Sequence, residues 1–293
     1  MNSETTGGGA AAAREQPPEA EKTARLIAET ANLLSAHTSV VHAAVLRLLA
    51  LEARLAALHS GGAATREPAV AVPPAWRGAL PSEPGSPILS AAPTLRLMAI
   101  HSVEGNATLL EICLVATLAK RADARAVFEF GTFDGRTTLN LAANIGPEGK
   151  VFTLERTQSD APTKSHRGRT HVEKHAGGFR YKGTPFEASI TQLYGDSATF
   201  NFGRFLGTMD FVFIGASHTY ESVLNDSRIA LRLLRNGRGT VAWHGYAPAF
   251  DRVVRALEKL YASEPEFAAM RHIAGTDLAY ARVSCVEGGN QCG

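Results

Sequence analysis

Apolar and polar positions follow two different patterns along this chain, and the change falls near residue 95. From about Glu19 to Leu58, apolar residues recur every seven positions, and a second series follows three positions later. This five-heptad pattern predicts a long, coiled-coil-like helix over residues 19–60. The two series are Ile27, Leu34, Val41, Leu48 and Leu55, and Thr30, His37, Ala44, Leu51 and Leu58.

Two uses of this helix are open. It either assembles the chain into a homo-oligomer or docks a partner, or it packs on its own domain. Thr30 and His37 weaken the apolar seam.

The segments beside the helix differ from it in composition. Residues 1–18 have almost no bulky apolar side chains and predict a disordered tail. Residues 61–94 are dense in Gly and Pro and predict an extended linker.

Beyond Leu95, short β-branched and aromatic runs alternate with helical patterns, so residues 95–293 are predicted to form one α/β domain. Strand followed by helix in this rhythm predicts a Rossmann-like fold, a mostly parallel sheet with helices on both faces. The predicted strands are Ala126 to Phe130, Lys150 to Leu154, Ile190 to Tyr194, Phe211 to Ile214 and Thr240 to Trp243. The predicted helices are Glu104 to Lys120, Arg136 to Asn144, Tyr220 to Leu234 and Asp251 to Ala262.

Composition and charge narrow the partners of this domain. Apolar residues make up 45% and charged residues 20% of the chain, and the net charge is +2. That charge gives no field that indicates nucleic acid or an anionic membrane as the main partner. The three cysteines are too few and too scattered for a disulfide framework, and no signal segment or apolar run of membrane length is seen. We therefore expect a cytoplasmic protein.

The strongest local signal is the run Glu129-Phe130-Gly131-Thr132-Phe133-Asp134-Gly135, between the first predicted strand and its helix. Glycines allow a tight turn and a close backbone approach to a ligand, which the free N–H groups of the helix start would face. The spacing differs from the dinucleotide and phosphate-loop motifs, which disfavours nicotinamide and nucleoside triphosphates. Two further acids, Glu155 and Asp196, follow the next two strands at the same edge of the sheet.

Residues 126–283 resemble the class I S-adenosylmethionine-dependent methyltransferases. The run from Phe179 to Tyr246 is similar to a bacterial subgroup, methyltransferase domain 24-like, that modifies small molecules or sugars. The matching text is GFRYKGTPFEASITQLYGDS, DFVFIGASHTYE and VAWHGY. The resemblance implies a seven-stranded sheet and S-adenosylmethionine as cofactor. It assigns the methionine moiety to Glu129, Gly131, Thr132, Phe133 and Gly135, the ribose hydroxyls to Glu155, and the adenine edge to Asp196 and Ser197. Asp196 is alternatively a turn cap.

The chain departs from this family where metal-dependent members carry aspartates. Gly215 and Ala216 stand where Asp-Gly is expected, and Gly245 stands where a second Asp is expected. Hard cations need oxygen ligands, so we expect no Mg²⁺ site of the family type and no metal. His218, His244 and Tyr246 are then the candidate catalytic groups that deprotonate or orient an acceptor, although strand-end histidines also often serve only to satisfy backbone groups.

These observations predict a methyltransferase that acts on a small-molecule acceptor, a specialised metabolite or a sugar, without a metal. Methyl transfer needs mainly alignment, because the sulfonium is already activated. Loss of two acids at one site also fits two alternatives. One is an S-adenosylmethionine enzyme that does not transfer methyl, and the other is a catalytically silent scaffold that acts through the N-terminal helix.

Overall fold

The sheet lies within the part of the chain that the computed structural model describes: residues 78–90, 94–101, 103, 105–156 and 179–284. The predicted tail, the coiled-coil-like helix and most of the linker lie outside these residues. The strands are β1 (Ser82–Pro84), β2 (Ala126–Phe130), β3 (Lys150–Glu155), β4 (Ile190–Tyr194), β5 (Phe211–Ile214), β6 (Gly239–His244), β7 (Arg271–Ala274) and β8 (Leu278–Val283).

The eight strands lie in the order β1-β7-β8-β6-β5-β2-β3-β4. All neighbouring pairs are parallel except those of β8, which runs antiparallel to β6 and β7. The chain runs outward from β2 to β4 and then returns to the other side of β2 to form β5. Doubly wound folds bind ligands at this kind of switch point, outside the carboxyl ends of the strands. The predicted Rossmann-like α/β fold is confirmed.

Helices cover both faces of the sheet. They are α1 (Ser86–Ser90), α2 (Leu109–Arg121), α3 (Arg136–Asn144), α4 (Tyr220–Leu233) and α5 (Asp251–Ser263). Successive strand residues point to opposite faces. Thus Val127 packs with α2 and α3 in one apolar cluster, while Phe128 packs with α4 and α5 in the other. Among the described residues, no helix has both the length and the apolar character that a membrane span requires.

Part of the predicted linker belongs to the folded domain. β1 pairs in parallel with β7, where Ser82 lies opposite His272, and α1 buries Ile88 and Leu89. Pro84 is tolerated because β1 is an edge strand, where a missing N–H donor breaks no ladder. The predicted domain start at residue 95 is therefore wrong, since ordered structure of this domain includes residues 82–90.

The start of α2 also differs from the prediction near Glu104. Thr108 is the N-cap: its hydroxyl accepts the N–H of Glu111, and the Glu111 side chain accepts the N–H of Thr108. This capping box satisfies two backbone donors that the first turn of a helix leaves without partners. The helix consequently begins at Leu109.

An extended segment before α2 is attached to α3 by side chains. Asn140 accepts the N–H of Met98 at 2.9 Å and donates to the carbonyl of Met98 at 2.8 Å. Asn144 makes the same pair of hydrogen bonds with Arg96, at 2.8 and 2.7 Å. The buried guanidinium of Arg136 donates to the carbonyls of Ala99, Ile100 and Ala107. Residues 96–100 and Ala107 are thus held along α3.

Candidate active site

The glycine-rich loop between β2 and α3 lies at the switch point of the sheet. Gly131 has φ +91°, and a Cβ placed on it would lie 2.6 Å from the Cα of Ala216. The loops that follow β2 and β5 therefore touch, and only a residue without a side chain fits between them. Gly135, with φ +77°, is the N-cap of α3 and supplies no side-chain cap to that helix.

Glu155 connects the end of β3 to the glycine-rich loop. Its Oε2 accepts the N–H of Phe133 at 2.7 Å. Phe133 has φ +51°, an uncommon conformation for a residue with a large side chain, and this hydrogen bond stabilises it. A carboxylate offers about four acceptor positions, so this contact is compatible with the predicted binding of ribose hydroxyls.

Glu129 lies beneath the loop and is fully buried. Its Oε2 accepts hydrogen bonds from the hydroxyls of Thr138 and Thr153. Burial raises the pKa of Glu129 to about 8. Glu129 thus supports the loop from below, and its other oxygen, Oε1, has no hydrogen-bond partner within the described part of the chain, so its assignment to the methionine moiety stays a prediction.

A line of polar side chains continues from this carboxyl toward β4. The hydroxyls of Thr132 and Thr153 lie 2.7 Å apart. Gln192 donates to the hydroxyl of Thr132 at 2.9 Å and accepts from the hydroxyl of Tyr181 at 3.0 Å. Thr132, predicted to hold the cofactor, is thus oriented by a buried network. Thr153 and Gln192 were not predicted, since each is a single polar position within a strand.

The structure supports the turn-cap interpretation of Asp196. Its Oδ1 accepts the N–H of Ala198 at 2.9 Å, and its Oδ2 forms an ion pair with Arg156. The backbone hydrogen bond from Ala198 and the pairing with Arg156 lower the pKa of Asp196. Its neighbour Ser197 hydrogen-bonds the side chain of Asp226. Both residues predicted for the adenine edge are therefore engaged within the protein.

Asp226 was missed by the sequence analysis. It lies on α4 and is buried, and burial raises its pKa to about 6 despite the hydrogen bonds from Ser197 and Asn225. A signal was available, because Asp226 falls on the same helical face as the buried residues Val223 and Ala230.

The acceptor side of the sheet edge brings the two candidate histidines together. His218 follows β5, and its ring stacks on that of Phe250 with centroids 4.6 Å apart. His244 ends β6, and its ring lies 6.2 Å from the same phenylalanine. His218 is exposed to solvent, yet desolvation of its ring and the nearby His244 lower the pKa of His218. A Cβ on Gly245 would lie 3.2 Å from Cδ2 of His218, so the glycine leaves space for that ring.

A third group on this side, Glu111, was not predicted. Its Oε2 lies 3.7 Å from Nε2 of His244, and its Oε1 accepts the N–H of Asp277 at 2.7 Å. Burial alone would raise the pKa of Glu111, but His244 and the N–H groups of Thr108 and Asp277 outweigh it and lower the pKa to about 2. The sequence pattern Thr108-x-x-Glu111 indicates the capping role, and nothing local indicates the histidine.

Glu111, His244 and Asp277 also form the arrangement nearest to a metal site among the described residues. One ligand atom from each lies within 4.8 Å of the others. Gly215 and Gly245 occupy the two positions at which the resemblance leads us to expect aspartates. At Gly215, a Cβ would lie 2.9 Å from Cε1 of Phe213.

Tyr246 is corrected from a catalytic to a structural residue. It is fully buried, and its hydroxyl accepts the N–H of Leu80 at 3.1 Å and donates to Oε1 of Glu258 at 3.0 Å. Burial and the neighbouring Glu258 raise its pKa well above the ordinary value. The hydroxyl joins the end of β6 to α5 and to the segment before β1.

Comparison with known proteins agrees with this geometry. The sequence model of a family described as "methyltransferase domain" matches residues 128–246, from β2 to the residues just after β6. The match includes the glycine-rich loop, Glu155 and both candidate histidines, so this part of the chain is similar to that family. No curated protein matches the chain.

Several solved structures are similar to this chain. The O-methyltransferase TomG of Streptomyces achromogenes, involved in tomaymycin synthesis and solved with S-adenosylmethionine, is 16% identical, with 64% of this chain and 93% of that chain covered and a TM-score of 0.44. Cofactor-bound Rv0187 from MTB is 20% identical, with 68% and 87% covered and a TM-score of 0.44. The methyltransferase PaMTH1 of Podospora anserina, bound to S-adenosylhomocysteine, is 14% identical, with 62% and 81% covered and a TM-score of 0.47. These TM-scores are below 0.5, and the fold class stands on the strand order of the chain itself.

Proposed function

We propose that this protein is an S-adenosylmethionine-dependent methyltransferase that acts on an oxygen or nitrogen of a small molecule, a specialised metabolite or a sugar. The observation that carries this proposal is the glycine-rich loop at the switch point, inside the segment that matches the methyltransferase domain. There, Gly131 lets the loop pack against Ala216, and Glu155 holds Phe133 in place. A rigid loop of this kind favours a ligand that must be aligned closely for reaction.

The residues at the loop fit the parts of this cofactor. Backbone N–H groups at the start of α3 suit the carboxylate of a methionine moiety, because a helix begins with unpaired donors and a positive dipole end. Gly131, Thr132, Phe133 and Gly135 would hold that moiety, and Glu155 would hold the ribose hydroxyls. When bound, the cofactor supplies a methyl group that its sulfonium has already activated.

The two histidines are the groups that handle the acceptor in this proposal. His218 is exposed on this side of the sheet edge, and an imidazole in its neutral form is able to accept a proton. His244 lies beside it, and both rings face Phe250, which offers an apolar surface to an acceptor. Either ring can orient the acceptor or take its proton, provided that it comes within hydrogen-bond reach.

We further propose that the reaction does without Mg²⁺ held by strand-end aspartates. Gly215 and Gly245 supply no carboxylate at the two positions where the family has aspartates, and Mg²⁺ prefers carboxylate oxygens. The histidines then replace the metal as the means of deprotonating the acceptor.

The test is calorimetric titration of the full chain with S-adenosylmethionine and S-adenosylhomocysteine, with added Mg²⁺ and with EDTA. We expect about micromolar affinity in both conditions. The variant Gly131→Ala should lose binding, because its Cβ would overlap the backbone of Ala216. The matched control is Gly207→Ala, which has a similar positive φ of +67° but nothing within 4 Å of the added Cβ. A folded wild type that binds neither compound would contradict the proposal and favour the scaffold.

Product analysis separates methyl transfer from other sulfonium chemistry. Turnover that releases S-adenosylhomocysteine together with a methylated acceptor supports the proposal. Release of methylthioadenosine would instead show an enzyme that uses the cofactor without transferring methyl.

Assembly through residues 19–60 and a cytoplasmic location complete the proposal. The heptad pattern supports assembly. Removing residues 1–60 should lower the mass per particle measured by light scattering by more than the mass of the deleted residues. A mass that falls only by the deleted residues would rule out this mode of assembly.

A further inference from the structure

A buried carboxylate lies beside His244, and its environment consists of hydrogen-bond donors. Glu111 is only 2% exposed. Its Oε2 accepts from the N–H of Thr108 at 2.7 Å and from the hydroxyl of Thr108 at 3.0 Å. Its Oε1 accepts from the N–H of Asp277 at 2.7 Å. A carboxyl that receives three donors is held as the ionised acceptor, so it has no proton to offer to His244.

The backbone fixes His244 relative to this carboxylate. The carbonyl of Asp277 accepts the N–H of Gly245 at 2.9 Å and that of Tyr246 at 2.8 Å, directly after His244. Asp277 in turn donates its own N–H to Glu111. The start of α2, the end of β6 and the turn between β7 and β8 are therefore tied together at one point. This arrangement is rigid enough to orient a side chain.

We infer that Glu111 is a positioning residue for His244: it holds the imidazole in the tautomer with the proton on Nε2, which leaves Nδ1 as the proton-accepting nitrogen. Nε2 is the ring nitrogen that faces the carboxylate, at 3.7 Å. An ionised carboxylate accepts only, so the nitrogen that faces it must carry hydrogen. The distance exceeds that of a hydrogen bond, and contacts of this kind often shorten when substrate binds.

The role in catalysis rests on the proposed function. In the reaction, the acceptor O–H or N–H bond breaks, its proton forms a new bond to Nδ1 of His244, and the acceptor atom takes the methyl group. The ring then carries a positive charge, which Glu111 stabilises from the Nε2 side. Asp277 adds a second carboxylate near the ring, and His218 adds a neighbouring imidazole. Glu111 itself touches neither the acceptor nor the cofactor in this scheme.

A metal ion is the competing occupant, since Glu111, His244 and Asp277 each offer a ligand atom. However, both oxygens of Glu111 already accept hydrogen bonds, two of them from backbone groups that cannot turn away. A cation would have to share or displace them. The geometry therefore favours a carboxylate–histidine pair over a metal site.

The test is NMR of the full chain labelled with ¹⁵N-histidine, in which two-bond proton–nitrogen correlations distinguish the two imidazole tautomers. The signals of His244 are assigned by their loss in His244→Gln. We expect the Nε2–H tautomer in the wild type at neutral pH. The Nδ1–H tautomer would overturn the inference, and this measurement needs no variant of Glu111.

Two variants make the test specific. Glu111→Gln should mix the two tautomers, because an amide can both donate and accept. Asp277→Asn removes the second carboxylate near the ring but keeps the backbone N–H that Asp277 donates to Glu111, so a tautomer fixed by Glu111 should stay as in the wild type. An unchanged tautomer in Glu111→Gln would overturn the inference. Stoichiometric shifts of the His244 ring signals on addition of Zn²⁺ alone would also overturn it, in favour of a metal site.

Kinetics give the second readout. In Glu111→Gln, kcat should fall roughly tenfold to a hundredfold, with KM for the acceptor and the affinity for S-adenosylhomocysteine nearly unchanged. Glu111→Asp should recover part of kcat. A parallel loss of kcat and cofactor affinity would indicate a merely structural role and contradict the inference. If the wild type fails to bind cofactor, the proposed function fails, while the tautomer experiment still reports on the pair.

Discussion

The two halves of the carboxyl edge differ in how they are built. On the cofactor side, around β2, β3 and β4, the polar groups are joined in a continuous network, and the glycine-rich loop is closed against a neighbouring backbone. On the acceptor side, around β5 and β6, glycines stand at the aspartate positions and two histidines share one aromatic surface. A fixed ligand favours the first design. In the proposed function, the second half receives an acceptor, which can vary from one enzyme to another.

The two glycines Gly131 and Gly245 show this difference at atomic scale. A Cβ on Gly131 would meet backbone atoms of Ala216 at 2.6 Å, and backbone cannot move aside easily. A Cβ on Gly245 would meet only side chains, the nearest being His218 at 3.2 Å. The first glycine allows two loops to close together, and the second leaves room for the ring of His218.

The largest expected effect concerns Glu129 on the cofactor side. Its pKa rises from 4.5 to about 8 on folding. Between these two pKa values the carboxyl ionises in the unfolded chain but stays protonated in the folded protein. The free energy of unfolding therefore falls as the pH rises from about 4.5 to about 8. The wild type should therefore lose roughly 5 kcal/mol relative to Glu129→Gln over this range. Urea unfolding at a series of pH values measures the difference.

Asp226 supplies the control for this pH experiment. Its pKa rises from 3.8 to about 6. The difference in the free energy of unfolding between wild type and Asp226→Asn should therefore stop changing above about pH 6. The Glu129 difference should continue to change up to pH 8. If the free energies of unfolding of wild type and Glu129→Gln differ by the same amount at every pH, Glu129 ionises normally. The network beneath the loop is then accessible to water.

The next effect tests the acceptor side. Replacing His244 with alanine should lower kcat by roughly a hundredfold, because a general base contributes about that factor or more. The affinity for S-adenosylhomocysteine should stay unchanged, since His244 lies on the other half of the edge. Steady-state turnover and calorimetry measure the two quantities, with the exposed His101→Ala as control. Full activity in His244→Ala would make this histidine structural.

A smaller effect is expected for Tyr246, which lies close to His244 in sequence but serves folding. Tyr246→Phe removes the hydroxyl that joins Leu80 and Glu258. The free energy of unfolding should fall by about 1–2 kcal/mol, because a buried N–H is left without its acceptor. The value of kcat should change less than about twofold. A large drop in kcat at unchanged stability would return Tyr246 to the catalytic group.

The smallest effect is expected for Gly215→Asp, which restores one of the two missing carboxylates. The new Cβ would lie 2.9 Å from Cε1 of Phe213, which is buried, so this ring must shift to admit it. Mg²⁺ affinity should remain absent in calorimetry, since Gly245 still provides no ligand. Gly215→Asn is the control of equal size. Mg²⁺ binding by the aspartate variant alone would show that the acceptor side keeps a latent metal site.

The sequence was sufficient for the fold where the signal is local. Apolar runs placed β2, β4 and β5 at their observed bounds, and the glycines marked the loop at the switch point. β1 was missed because its proline and exposed positions resemble a linker. Its pairing with β7 depends on residues about 190 positions away, such as Ser82 with His272.

The sequence located several polar residues at the carboxyl edge of the sheet, but it said little about their contacts. Glu155, Asp196 and Tyr246 follow their strands as the sequence pattern indicates, but their partners Phe133, Arg156 and Leu80 came from the structure. A hydrogen bond between distant positions leaves no periodic trace in the sequence. Glu111 illustrates the limit, since its spacing from Thr108 indicates a helix cap while its neighbour His244 lies 133 positions later.

The paired asparagines of α3 have a geometric consequence for the segment that they hold. Four residues of an α-helix rise about 6.0 Å, and two residues of a strand rise about 6.6 Å. Asn140 therefore faces Met98 and Asn144 faces Arg96, with nearly equal spacing along the helix and the extended segment. Their amides reproduce the donor and acceptor pattern of a neighbouring strand. The spacing of the two asparagines along α3 therefore fixes the register of the extended segment in steps of two residues. Loss or gain of one residue here would turn the buried Leu97 outward, so this stretch tolerates substitution far better than a change in length.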